Sequence, residues 1–188
     1  MAKIGLRNFY YSVATEQSDG SLTYSGATKP GKAISFSFEP NVSSATLYAD
    51  DALAETDTST NGGTCTMGLD RYDLQTQATL LGHTYSEEDG VTSNKDDVAP
   101  YVGLARIVTV MVDGNIGYRA VIFPKVKFQE PSSDNSTKGE TTEFGTYEIQ
   151  GTVTTPADGD WRKEQIFTSQ AAADSWIASY FGASPVSA

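Results

Sequence analysis

The sequence predicts a mainly β fold, two packed β-sheets with a short central helix and a C-terminal helix. Three observations lead there. Several stretches alternate apolar and polar residues with a period of two, as half-buried strands do. One segment, Asp113-Gly114-Asn115, separates two long apolar runs and is the clearest hairpin signal in the chain. Only two stretches carry apolar residues at helical spacing. At 188 residues the chain suits one domain with its own core, spanning 1–188.

Taken in order, residues 1–31 read as an extended N-terminal arm or short strands, with Tyr10, Tyr11 and Tyr24 among Ser, Gly and Thr. In "KAISFSFEP" (32–40), Ile34, Phe36 and Phe38 share one face of a strand that should end near Pro40. "ATLYAD" (45–50) is its expected partner. "ALAETDTSTNGG" then reads as a polar loop with a Gly-Gly turn, and "TCTMGL" (64–69) as another strand. Leu74, Ala78 and Leu81, with an acid in the opening turn and Gly82 behind, predict a helix from about Arg71 to Leu81. "SEEDGVTSNKDDVAP" should be an exposed acidic loop.

"YVGLARIVTVMV" (101–112) and "IGYRAVIFPKVKF" (116–128) form the hairpin, and a long polar connection follows. "TYEIQGTVTTP" (146–156) alternates again, with Tyr147, Ile149, Gly151 and Val153 on one side, and "DGDWRKEQIF" reads as a turn and strand. "SQAAADSWIASYFG" places Ala172, Trp176, Ile177 and Tyr180 at helical spacing before Gly182. Residues 183–188 read as a flexible tail.

Charge narrows the function. The net charge is −11, and nearly all of it falls between residues 39 and 100, where twelve acids face only Arg71 and Lys95. Such a surface repels phosphate, which disfavours tight nucleic-acid binding. Cys65 is the sole cysteine, so no intrachain disulfide can form. No secretory signal or membrane-spanning run is expected.

The candidate sites for chemistry weigh poorly. Tyr48-Ala49-Asp50-Asp51 matches the YxDD signature of reverse transcriptases, whose aspartates hold catalytic metals. A two-metal site also needs a third carboxylate and basic groups for a triphosphate. Glu55 and Asp57 could supply the carboxylate, but no Lys/Arg cluster or Gly-rich phosphate loop accompanies them. His83, the single histidine, has no nucleophile motif beside it, so capping or packing is its expected role. Cys65 is expected as a small buried apolar residue. "SEEDGVTSNKDD" lacks the ligand spacing and central Gly of an EF-hand. Trp176, Tyr180 and Phe181 fit the core face of a docked helix better than a ligand platform. The expectation is therefore a non-enzyme without cofactor or metal.

Several segments in order resemble the major tail protein family of long-tailed bacteriophages (siphophages), mainly of Gram-positive hosts. They are "KIGLRNFYYSV", "ATLYADDALAET", "LLGHTY" with "DDVAPYVGL", "KVKFQEP" and "TKGETTEFGTYEIQGT". The resemblance implies a tail-tube β-sandwich whose copies form hexameric rings, stacked around a lumen that passes double-stranded DNA without specific binding. It implies tape-measure and tail-terminator or distal tail proteins as partners, no membrane, and a place in the virion after assembly in the host cytoplasm. A carboxylate-lined lumen would let DNA slide without sticking. Asp50, Asp51, Glu55, Asp57, Glu87, Glu88, Asp89, Asp96 and Asp97 are thus expected to face the lumen or a neighbouring subunit. Lys3, Arg7, Tyr48, Lys125 and Lys127 are the expected inter-subunit contacts. The alternative is a β-sandwich module that binds carbohydrate or a receptor on a virion.

Overall fold

In the computed structural model, residues 2–49, 52–71, 73–132 and 146–182 are described, with the backbone alone over 45–49 and 52–57. The strongest sequence signal forms as expected. Strands β7 (Tyr101–Val112) and β8 (Asn115–Phe128) pair antiparallel down to Val112 and Asn115. The two residues between them, Asp113 and Gly114, have φ of 49° and 80°. That double positive φ is the type I′ geometry that matches strand twist, and Asp-Gly adopts it at little cost.

Around this hairpin the chain builds one hydrogen-bonded path of strands. From the N-terminus come β1 (Ala2–Glu16), β2 (Leu22–Tyr24), β3 (Ala33–Ala49) and β4 (Ala52–Leu69). After the hairpin come β9 (Tyr147–Val153) and β10 (Lys163–Phe167). Their order is β2-β1-β7-β8-β9-β4-β3, with β10 also on β8. A flat sheet would leave β3 far from β1 and β8. Instead the Phe36 ring of β3 lies 5.9 Å from Phe9 of β1 and 6.0 Å from Phe123 of β8. The path therefore bends back on itself, and β3-β4-β9 packs face to face on β1-β7-β8-β10.

The bend has a visible cause in β8. Between Val102 and Leu104 of β7 the register slips against Val126 and Phe123, leaving an extra residue in β8 at Pro124-Lys125. Proline lacks the N–H that a ladder needs, so a bulge is where a strand tolerates it. Before the bulge β8 pairs with β10, from Tyr118 to Ile122; after it β8 pairs with β9, from Val126 to Phe128.

Two cores result. Between the layers lie Phe9, Cys65, Met67, Leu69, Leu104, Phe123, Val126 and Ile149, capped by Leu80 and Leu81 of helix α1 (Leu74–Leu81). On the outer face, Tyr10, Ala105, Ile107, Ala120 and Ile122 meet Ala173, Ile177 and Phe181 of helix α2 (Gln170–Tyr180) and its cap. Both helices start on side-chain caps, Asp73 accepting from the Thr76 N–H and Ser169 from the Ala172 N–H. The mainly β sandwich with a central and a C-terminal helix is the fold that the patterning predicts.

Several details differ from expectation. Residues 2–16 are one long strand paired with β7. Phe9, Tyr10 and Tyr11 are all buried because both faces of β1 are covered, which erases the alternation. Helix α1 begins at Leu74, after the Asp73 cap, and Leu74 points outward at 52% exposure. On α2 the buried face is Ala173, Ile177 and Phe181, while Trp176 and Tyr180 are half-buried. Tyr147 is exposed, although Ile149 and Val153 are buried as predicted. The acidic loop after α1 contains a small hairpin, β5 (Thr84–Ser86) with β6 (Gly90–Thr92).

The largest difference concerns residues 41–63. β3 does not stop at Pro40, and the expected polar loop is strand. The β3–β4 ladder runs from Ala33/Leu69 to Ala49/Ala52. Pro40 faces Gly63 and Val42 faces Thr60, so β4 carries one extra residue there. Gly62, at φ 79°, belongs to that bulge rather than to a turn. A Cβ on Gly62 would run into the Val153 carbonyl, so the close approach itself requires glycine.

Candidate assembly surfaces

β9 covers β4 only between Gly63 and Leu69. Beyond Pro40 and Gly63 the two strands pair only with each other among the described residues. They form a ribbon, from Val42/Thr60 to Ala49/Ala52, that leaves the body of the sandwich. At 3.3 Å per residue its length is about 25 Å. Residues 41–44 and 58–59 are exposed, Val42 at 51%. Of the arm's described side chains, 42–44 and 58–60, none belongs to a core cluster. A two-stranded ribbon is marginal by itself, and strand edges that no third strand covers can pair with another chain.

The arm carries the first group of expected acids. Asp50 and Asp51 lie outside the described residues. The backbone of Glu55 pairs with Leu47, that of Asp57 with Ala45 and that of Tyr48 with Leu53; the side chains of Tyr48, Glu55 and Asp57 lie outside the description. Glu55 and Asp57 are strand residues, not loop residues as expected. Glu87, Glu88 and Asp89 form the exposed turn of the β5–β6 hairpin, where the Ser86 hydroxyl accepts from the Asp89 N–H at 2.9 Å. Asp96 is exposed and paired with Lys95 at 3.2 Å, a contact too solvated to hold anything.

Asp97 is different. Its carboxylate, expected to face the lumen or a neighbour, makes contacts within its own chain. Asp97 Oδ2 accepts from the Asn94 N–H at 2.8 Å and stands 2.8 Å from His83 Nδ1. His83 Nε2 meets Glu130 Oε1. With a carboxylate at each nitrogen the ring is an imidazolium. Its pKa is raised, first by the Asp97 hydrogen bond, with burial opposing and Glu130 adding to the rise. The Asp97 carboxyl is lowered, by the Asn94 N–H and then by His83. His83 thus ties the end of α1 to the 94–97 turn and to the segment after β8. Packing at a helix end was expected; the two remote acids were not.

The expected basic contacts divide. Lys3 is exposed on β1, opposite Val110. Arg7 is exposed too, its Nε donating to Thr109 Oγ1 at 3.0 Å beside the Tyr118 ring. Lys127 lies over the Tyr101 ring at 5.5 Å. Lys125 is committed inside its own chain: its side chain is 11% exposed, 2.8 Å from Glu16 Oε2 and 4.4 Å above Tyr101.

Cys65 is fully buried, and burial pushes its thiol up to about 12, so it is an inert packing residue as expected. What the residue patterns missed is basic. Arg106, Arg119 and Arg162 converge around Glu164 at the end of the sandwich next to β3. A signal existed: Arg106 is the one charge in the otherwise apolar strand "YVGLARIVTVMV". Compared with protein-family models and with curated proteins, the chain matches none.

Proposed function

We propose that this chain is a structural subunit of a phage tail tube, assembling as hexameric rings that stack around an acidic lumen for DNA passage. The observation that carries this reading is the β3–β4 arm. It is about 25 Å of regular ribbon whose strands, among the described residues, pair only with each other beyond Pro40 and Gly63, and the sequence from Val42 to Thr60 carries four acids and no base. An element of that kind stabilises nothing alone and acts only when a neighbour covers it. The excess of carboxylate suits a conduit that DNA traverses without binding, because each phosphate meets repulsion instead of a contact to be broken.

Electron microscopy of the negatively stained protein over a range of concentrations tests the proposal. Rings or hollow tubes are expected. Compact particles at every concentration, even after seeding with tail-tip complexes, would overturn it. One observation favours a second reading, a carbohydrate-binding module: a cleft of about 380 Å³ lined by Tyr24, Tyr180, Asp19 and Asp158. Aromatic faces with carboxylates suit a hydroxyl-rich ligand. That reading expects a stable small oligomer and glycan binding that disappears in Tyr180→Ala.

A further inference from the structure

Arg106 occupies a strand whose neighbours on the same face, Leu104 and Val108, are buried. Its guanidinium lies 4.3 Å from the centre of the Phe36 ring, and its Nε is covered with no hydrogen-bond partner. Arg119, on β8, donates from Nη2 to Glu164 Oε2 at 2.5 Å. Arg162, just before β10, holds its Nε 3.9 Å from the same oxygen. Arg162 also covers Trp161 at 4.8 Å, and Trp161 stacks on Phe38. Two guanidinium groups therefore share one carboxylate beside a third, Arg106, that has none in contact, on an aromatic floor supplied by β3 and Trp161.

That arrangement is under-compensated. A guanidinium taken out of water needs paired acceptors, and Glu164 cannot serve three. The strain is visible at Arg106, whose pKa is pushed down to about 10, by burial first and then by Arg119. Among the described residues Glu164 is the single carboxylate in ion-pair contact with Arg119 and Arg162, and Arg106 has none. The cluster is nevertheless open, because the side chains of Arg119, Arg162 and Glu164 are 24%, 39% and 35% exposed. Guanidinium forks with free donors at a half-dry surface match an incoming carboxylate.

We propose that this cluster is a carboxylate-binding site, filled by the acidic end of the β3–β4 arm, residues 50–57, of a second copy of the chain. The inference rests on the tail-tube reading for the meaning of that contact, but not for its chemistry. Two observations choose the occupant. The arm's end, "DDALAETD", holds four acids and no base, against a cluster with a surplus of two positive charges. A chain's own tip does not lie at its own cluster, because β3 runs on from Phe38, beneath the arginines, for eleven residues, about 35 Å, before it reaches Ala49. The donor of the carboxylates is thus a different copy. A contact joining unlike surfaces repeats from copy to copy and propagates, as a two-fold dimer contact does not.

The test is an NMR titration of the arginine Nε–H signals of the unassembled protein with a synthetic hairpin peptide of residues 42–60. Saturable shifts at Arg119 and Arg162 are expected, weakening as salt rises. Arg162→Gln should weaken binding at least threefold and Arg119→Glu/Arg162→Glu at least tenfold. A peptide with its four acids changed to Asn and Gln should not bind. The proposal is overturned by no shift up to millimolar peptide, or by equal binding to both variants. It is also overturned if inorganic phosphate or a short DNA duplex moves these signals while the peptide does not. Tubes from a chain that ignores the peptide would sink this site and spare the tail-tube reading; peptide binding without rings at any concentration would do the reverse.

Discussion

Excising the arm separates folding from assembly. The change replaces residues 43–59 with Asn-Gly between Val42 and Thr60, which already face each other across the ladder. A two-residue Asn-Gly loop closes such a pair in its preferred turn. The described side chains of the excised segment, 43–44 and 58–59, are exposed, and none of them belongs to a core cluster. At roughly 25 cal/mol per Å² of apolar burial, almost nothing is lost from the folded body, so unfolding free energy should change by no more than about 1 kcal/mol. Assembly should fail, since a specific contact needs about 800 Å² from each partner and the proposed contact is made by the arm. Denaturant unfolding followed by Trp fluorescence reads the first quantity, and sedimentation velocity reads the second. A loss above about 3 kcal/mol would mean that the arm belongs to the core, and unimpaired assembly would mean that it is not the joining element; either result refutes the reasoning.

Further outcomes follow from the cores and the histidine. A Cβ on Gly103 would collide with the Phe181 ring and come within 2.8 Å of Tyr24. Gly103→Ala should therefore cost about 1–3 kcal/mol and Phe181→Ala about 3–5 kcal/mol. The double variant should cost at least 1 kcal/mol less than their sum, since each change makes room for the other; strict additivity would contradict the docking of α2 on β7. The imidazolium bridge at His83 stabilises fully below the ordinary histidine pKa of about 6.5 and fades as pH climbs through the raised folded value. Asp97 has the opposite sign, its contribution being present above the ordinary carboxyl range and lost as pH falls through the lowered one. His83→Gln should flatten the alkaline side of a melting-temperature profile, and an unchanged slope there would refute the bridge. Cys65 should resist thiol reagents in the folded protein at pH 8 and react on unfolding; fast native labelling would contradict its burial.

Where a strand has one wet and one dry face, as β9 does, period two announced it, while β7 and β8, buried on both faces, stood out as long apolar runs on either side of Asp113-Gly114. The arm could not be read that way. Its Thr, Ser and acid composition is that of a loop, and it carries no sustained period-two alternation of apolar residues to find. β1 failed for the opposite reason, being covered on both faces and interrupted by register shifts at Lys3/Gly5 and Leu6/Phe9. The helices were placed well, but the burial of Ile177 and Phe181 rather than Trp176 and Tyr180 depended on how α2 sits across β7 and β8. Of the expected acids, Asp97 meets His83, fourteen positions away, a contact that no residue pattern announced. The arginine cluster joins three separate parts of the chain, a convergence that only the folded topology creates.

Hydrogen exchange along the arm tests the central claim, that this ribbon is what joins one copy to the next. Amides of residues 42–49 and 52–60 should exchange quickly in the free chain and become strongly protected in assembled particles, while the β7–β8 hairpin stays protected in both. Arm amides that exchange equally fast before and after assembly would contradict the account.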